Sequence, residues 1–521
     1  MMAIGRAITW SALAPALLST VACVELAVTN VDAPDRERAL ASARDVEALI
    51  SGTFRTWWNL QQREAPGPAM AAMADEITGA QANYGWQDQG MEPARAIINE
   101  TAYQWGYWVY DPWLLTNRAL ASIRDGLQSI DQLGLQIGTN GADTPRALAF
   151  AKFMQGLFLG NIAMQYDQGF VLDETVTEPL AMQFEPYTAI MAAARLKLEE
   201  ARQIAGQNNF TIPGGWMGTA SYTRDAFVRL THSYEARFMA AVARSPAERA
   251  AVDWNEVLTH IQSGVTADFG VDLDGPAGVW RIQNGLKDFM GLGSDVDLAY
   301  LGPADQSGAY STYEATDPTT KTPFVIDTDD LRIRGPDSLK APGVYVHYRP
   351  TVIQPAERGL WYGSNYAPWW YFTLATTDFG FAPDLTTIEM GFLAAEAYIR
   401  TGQPDLALPY INQRRVAVGG LPSATVDGVS GPRCTPRSAG LLKKASTRAE
   451  GECGDLMQTL IYEKDLETAR LYAGRSWYDH RGWGTLRTGR AVQAPVPQVD
   501  LDLLGLAVYT FGGVGGSGAA P

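Results

Sequence analysis

The residues best equipped for chemistry lie in the last quarter of the chain. Glu396, Glu463 and Asp479 are accompanied there by Arg414 and Arg475. Paired carboxylates at a suitable separation hydrolyse glycosidic bonds, one as acid and one as base or nucleophile. All five residues, however, sit on or beside apolar helical stretches, where a charge must be paired to offset its desolvation. They read better as a structural Arg–carboxylate network locking the terminal segment onto the last helix pair. On that reading, loss of Arg475 strands a carboxylate and destabilises the fold. A helical glycoside hydrolase or lyase remains the enzymatic alternative.

Other chemistries find less support. The chain holds four His and three Cys, with no cluster at metal-ligand spacing, so no metal site is expected. Asp327–Asp330 offers oxygen ligands for calcium, but such a run reads more simply as a solvated turn. No phosphate-binding glycine motif or nucleophile elbow occurs, and no cofactor is expected. A net charge of −16 repels polyanions and argues against a nucleic-acid partner.

Aromatic residues suit a different task. With 15 Trp and 22 Tyr, the chain can both fill a core and offer flat faces to a ligand. Sugar rings stack on such faces while neighbouring polar groups take their hydroxyls. Two loop clusters mix the right types: Tyr84-Gly85-Trp86-Gln87-Asp88, and Trp361 through Tyr366 followed by Trp369 and Trp370. Trp86, Trp361 and Tyr366 are the expected ligand platforms, although large loops also need aromatic anchors. Trp105, Tyr107, Trp108, Tyr110 and Trp113 have helical spacing and read as core.

The elements that must position these residues are mostly helices. Apolar spacing predicts helices over Val46–Trp58, Ala69–Ile77, Glu100–Arg124, Ala147–Tyr166, Tyr187–Ile204, Arg224–Arg244 and Pro246–Thr266. From 269 to 385 Gly, Pro, Asp and aromatics dominate, predicting an irregular, loop-rich lobe with short strands such as Gly343–Tyr348. Helices return at Ile388–Arg400 and Leu406–Val416, an αα-hairpin with Gly402 at its turn and Asp405 as the expected cap. This pair loosely resembles a tetratricopeptide unit. A further helix is predicted over Asp455–Tyr472.

The N-terminus reads as an export signal. Arg6 precedes an apolar run over Ala7–Leu18, too short to span a membrane, and Ser19-Thr20-Val21-Ala22-Cys23 follows. A small residue before Cys23 resembles a bacterial lipobox, in which the cysteine becomes the lipidated first residue. An ordinary cleaved signal peptide with an incidental cysteine is the alternative. No later segment is expected to span. If the chain is exported, Cys434 and Cys453 stand where a disulfide would close a Gly/Pro/Ser-rich loop.

Three motifs, in order, resemble the SusD/RagB family of outer-membrane nutrient-binding lipoproteins. The first runs from Thr387-Ile388-Glu389 through Leu393-Ala394-Ala395-Glu396-Ala397-Tyr398 and Gly402 to Ile411-Asn412 and Arg414-Arg415. The second is Ile461-Tyr462-Glu463-Lys464 and Glu467, then Gly474-Arg475-Ser476-Trp477-Tyr478-Asp479 and Trp483-Gly484. The third is Pro495-Val496-Pro497 with Asp500. Departures are Lys464 for Arg, Ala473 for Glu and His480 for Leu. The resemblance implies a mostly α fold: a SusD-like helical scaffold of tetratricopeptide-like pairs with an irregular ligand lobe.

It also implies an organisation. Residues 1–22 would be a signal peptide, 23–38 a lipidated tether beginning at Cys23, and 39–521 a single SusD-like domain. Within that domain the scaffold would occupy 39–268 and 386–490, and the ligand lobe 269–385. The implied partner is a SusC-like TonB-dependent transporter, over which the protein sits as a lid on the cell surface. The implied ligand is an oligosaccharide, or a peptide as in some family members, bound without catalysis.

Overall fold

In a computed structural model, the structure describes residues 36–61, 66–78, 85–92, 94, 96–282, 294–350, 363–438, 451–469 and 474–511. Cys23 and the leader before it lie outside these residues, as do Tyr84 and Trp361. Helix forms at Arg36–Leu40, overlapping the end of the stretch, 23–38, read as tether.

The helical scaffold is built in chain order. It runs through α1 (Ala43–Ser51), α2 (Thr53–Gln61), α3 (Tyr107–Leu133), α4 (Thr144–Gln165), α5 (Tyr187–Gln207), α6 (Arg224–Ala241) and α7 (Trp254–Gln262). Ser42 caps α1, its hydroxyl accepting from Asp45 N–H, and Val46 and Ile50 turn inward one helical turn apart. From α3 onward each helix packs on the next, so the apolar stripe of one covers that of its neighbour. The run ends at α8 (Thr387–Arg400), which packs on α7 and on α9 (Pro404–Ala417).

The sequence reading excluded any later segment of spanning length. Helix α4, of 22 residues, is in fact long and apolar enough to cross a membrane. Of its most apolar 18-residue window 89% is buried within the protein, where α3, α5 and α6 pack against it. An all-round apolar helix is what a core position of this kind requires.

The irregular lobe opens and closes on one strand pair. β1 (Phe269–Asp274) pairs antiparallel with β4 (Phe379–Leu385), bringing the two ends of the lobe together. Inside it, β2 (Val346–Tyr348) pairs with β3 (Tyr366–Pro368). The lobe has its own core, in which Leu298, Tyr310, Ile326, Val346 and Tyr366 meet Tyr462 and Leu466 from α10 (Leu456–Thr468).

At the α8–α9 turn, Gly402 has φ +77° with nothing within 4 Å of a hypothetical Cβ, so backbone conformation alone favours glycine. Asp405 does not cap α9: Gln403 occupies that position, and Pro404, which needs no amide partner, is the first helical residue. Asp455 does cap α10, in a capping box with Gln458.

Cys434 and Cys453 form a disulfide with Cα atoms 5.6 Å apart. The loop is also sewn to the lobe. Gln306 donates to the Cys434 carbonyl at 2.8 Å, and Arg437 donates to the Gln306 side chain at 2.9 Å. Replacing both cysteines by serine is expected to cost roughly 3 kcal/mol by freeing the unfolded chain. Chemical denaturation of the oxidised protein and the double variant measures this; an unchanged midpoint would show that the hydrogen bonds alone hold the loop.

Candidate functional site

The charged residues of the C-terminal motifs are brought together, but in the interior. Glu396 on α8 has no exposed side-chain surface and accepts two bonds from Arg249, at 2.9 and 2.6 Å. Arg249 also reaches Asp479 at 3.2 Å on α11 (Arg475–Trp483). Lys464 on α10 takes the other Asp479 oxygen at 2.7 Å, so lysine fills the place where the family resemblance expects arginine. Glu463 is held by Arg415 at 2.8 Å and Arg332 at 2.6 Å, and Arg414 pairs with Glu467 at 2.8 Å.

This is the structural network expected from sequence, with different keystones. Arg249, Arg332 and Arg237 were not identified from the motifs, because each is supplied from far away in the chain. The expectation for Arg475 also changes. Its partner Glu389, at 3.2 Å, is held more closely by Arg237 at 2.7 Å, so removing Arg475 does not strand that carboxylate. A cavity beside these groups has a volume of only about 10 Å³, room for about one water. The carboxylates are sealed and paired, an arrangement that serves stability and leaves no place for a glycosidic bond.

Burial by itself disfavours ionisation of Glu396, but the Arg249 charge and hydrogen bonds outweigh it, and the carboxyl is lowered from 4.5 to about 2. A carboxyl more acidic in the folded than in the unfolded state stabilises the fold above its unfolded value. That contribution is lost as the pH falls toward the folded one. The thermal midpoint is therefore expected to fall between pH 4.5 and about 2 by more in the wild type than in Glu396→Gln. Parallel curves for the two proteins would contradict this.

Two acidic groups resemble metal sites but are already satisfied. Glu235, Glu256 and His260 offer ligand atoms within 4.8 Å of one another. Arg195 reaches Glu235 at 2.9 Å and Glu256 at 2.5 Å, and Arg202 reaches Glu235 at 2.6 Å. In the run considered for calcium, Arg433 pairs with Asp327 at 2.8 Å and Asp329 at 2.7 Å, while Asp330 pairs with Arg332 at 2.7 Å. The guanidinium groups stand where a cation would.

Neither of the aromatic platforms expected from sequence that fall among the described residues is where a ligand could reach it. Trp86 and Tyr366 are both 0% exposed, which corrects their assignment as open stacking surfaces. Trp86 belongs to the main core, and the Tyr366 hydroxyl accepts from the Ile326 amide at 2.8 Å deep in the lobe. Trp86 opens a short helix, Trp86–Gly90, and Tyr366 opens β3, and each anchors its segment to a core. Trp361 lies outside the described residues. Trp369 is partly exposed, but it is stacked between His347 and Phe372, each at a centroid distance of 3.8 Å, so neither of its faces is open.

An open aromatic groove does exist nearby. It has a volume of about 400 Å³ and is lined by Tyr103, Tyr107 and Tyr110 with Asn99, Gln104 and Gln498. That size and mixture suit a small ligand. The sequence reading assigned Tyr107 and Tyr110 to the core along with Trp108 and Trp113. The structure divides them: Trp108 and Trp113 are buried, whereas Tyr107 and Tyr110 are half-exposed. Helix α3 begins only at Tyr107, so both tyrosines lie in its first turn, at an open end.

Local sequence explains how that end is held. Pro112 has no N–H to give the Trp108 carbonyl; Gln165 from α4 donates to it instead, at 3.0 Å. On the other side Tyr103 donates to Asp88, which ties the groove to the loop that carries Trp86. Gly85 has φ +72°, and a Cβ there would meet Trp105 Cβ at 2.8 Å, so the close approach of loop to wall demands glycine.

The third wall is the C-terminal motif. Asn99 donates to the Val496 carbonyl at 3.0 Å and to the Tyr509 carbonyl at 2.8 Å, and its side-chain oxygen accepts from Gln498 N–H at 3.0 Å. Gln498 returns the contact by accepting from the Thr101 amide at 2.6 Å. Asn99 and Gln498 were missed in the sequence because they are almost 400 positions apart, and neither forms a recognisable local motif. The only available signal was Pro495-Val496-Pro497 itself, which marked a rigid terminal segment without saying what it packs against.

With this geometry established, the protein can be compared with others. No protein-family model matches the sequence, and no curated protein does. Solved structures do match. The chain has the SusD-like helical fold. A SusD superfamily protein from Bacteroides thetaiotaomicron superposes with a TM-score of 0.54, covering 88% of this chain and 98% of its own, at 11% identity. A SusD superfamily protein from Bacteroides vulgatus gives 0.52, covering 89% and 97%, at 13% identity. A SusD-like carbohydrate binding protein from the same species gives 0.50, covering 87% and 85%, also at 13% identity.

Proposed function

We propose that this protein is a cell-surface binding lipoprotein of the SusD/RagB type. It captures an oligosaccharide in the Tyr103–Tyr107–Tyr110 groove and delivers it to a SusC-like TonB-dependent transporter. The observation that carries this reading is the groove itself: half-exposed tyrosines beside amide side chains, in a fold shared with a SusD-like carbohydrate binding protein. Tyrosine faces take the apolar side of a sugar ring, and Gln104 and Gln498 are of the type that meets hydroxyls, while the buried Asn99 holds the wall in place. The burial and pairing of the C-terminal carboxylates support binding without hydrolysis.

In this reading Cys23 carries the lipid that fixes the protein to the outer membrane, and the residues after it form the tether. Trp361 is a further ligand platform in this reading. The test is incubation of the purified mature chain with oligosaccharide and peptide panels, scored for both binding and product. Binding of a glycan without product supports the proposal. Binding of peptides alone, or glycan cleavage by the protein alone, overturns it. Lipid labelling of the full-length chain that survives Cys23→Ser overturns the anchor.

A further inference from the structure

We infer that the groove admits uncharged oligosaccharides and rejects anionic ones, with Glu100 setting that preference; this rests on the groove being the binding site. Glu100 is the one charged side chain among the lining residues. The two described segments that build the groove, 96–111 and 491–511, contain no Lys or Arg; Arg95, just before the first, lies outside the described residues. They do contain Glu100, Asp111, Asp500 and Asp502. The two described cations just before the second segment are engaged elsewhere. Arg487 pairs with Asp75 and Glu314 at 2.8 and 2.7 Å, and Arg490 is buried and donates to the Gly90 carbonyl at 2.8 Å.

Among the described residues that line this groove, a uronate or sulfate ester therefore meets carboxylate without a compensating guanidinium or ammonium group. Anion recognition normally relies on such groups, because they repay the loss of water around the anion. Here the ligand's desolvation goes unmatched and the Coulomb term is repulsive, a built-in bias against the wrong partner. Neutral sugars lose only hydroxyl hydration, which the tyrosine and amide groups of the wall can replace.

The experiment titrates the mature chain at low ionic strength with matched pairs: mannotetraose against tetramannuronate, and galactotetraose against tetragalacturonate. Wild type, Glu100→Gln and Tyr107→Ala are compared. The expected result is binding of at least one neutral member, with its uronate partner weaker by roughly tenfold or more. That gap should narrow in Glu100→Gln and in high salt. A uronate that binds as tightly as its neutral partner, with both lost in Tyr107→Ala, would overturn the charge preference and leave the groove standing. Binding that Tyr107→Ala leaves untouched, or no binding by any pair, would overturn the groove reading and this inference with it.

Discussion

Replacing Arg249 by alanine is expected to destabilise the fold by about 3–5 kcal/mol, enough to threaten folding altogether. Arg249 is fully buried and bridges three elements: it meets Glu396 on α8 at 2.6 Å, Asp479 on α11 at 3.2 Å and the Ala240 carbonyl of α6 at 2.7 Å. Its loss leaves Glu396 ionised in the interior with only the Arg400 side chain at 2.8 Å and the Trp483 N–H at 3.1 Å. Arg475→Ala is expected to cost less, because Glu389 keeps Arg237. Denaturant unfolding of both variants measures the difference. Equal losses would mean that the pairing described for Glu389 is not what holds it. An Arg249→Met, Glu396→Leu double variant should recover much of the loss, since removing both charges removes the stranded one.

The second large effect concerns binding. Tyr107→Ala is expected to weaken oligosaccharide affinity by roughly ten- to a hundredfold, the equivalent of losing one buried aromatic face. Its stability should change less than that of a fully buried aromatic, because Tyr107 is half-exposed at the first turn of α3, packing against the edge of the core with its ring 6.0 Å from that of Trp105. Trp108→Ala serves as the opposite control: that ring is 0% exposed, and its removal should damage folding first. If Tyr107→Ala binds as well as the wild type, the groove is not the site.

The helices were legible in the sequence because their signals are local. Ser42 before α1, Pro145 at the start of α4 and Gly402 between α8 and α9 each act through their own backbone. The C-terminal ion pairs were half legible. Spacing along α8 and α10 showed that Glu396 and Glu463 must face inward and find partners. Which guanidinium reaches them depends on tertiary packing, and Arg249 and Arg332 carry no mark of that role in their own neighbourhoods.

The candidate site was least legible. A helix wheel places Tyr107 and Trp108 on one stretch and cannot tell that the helix begins at Tyr107. The turn that frees Tyr107 and Tyr110 is governed by Gly106 and Pro112, and the wall opposite them by a segment from the far end of the chain. Aromatic-rich loops misled for a related reason. Trp86 and Tyr366 sit among polar neighbours in sequence, yet they open a short helix and a strand, and their rings anchor those elements in the two cores. Trp369 is exposed and still closed, because His347 and Phe372 cover its faces.

The most direct measurement is a crystal structure of the mature chain grown with whichever oligosaccharide binds it. The account predicts a sugar ring against Tyr103, Tyr107 and Tyr110, with hydroxyls toward Gln104 and Gln498. An intact ligand bound only in the lobe between β1 and β4, with the groove empty, would contradict it.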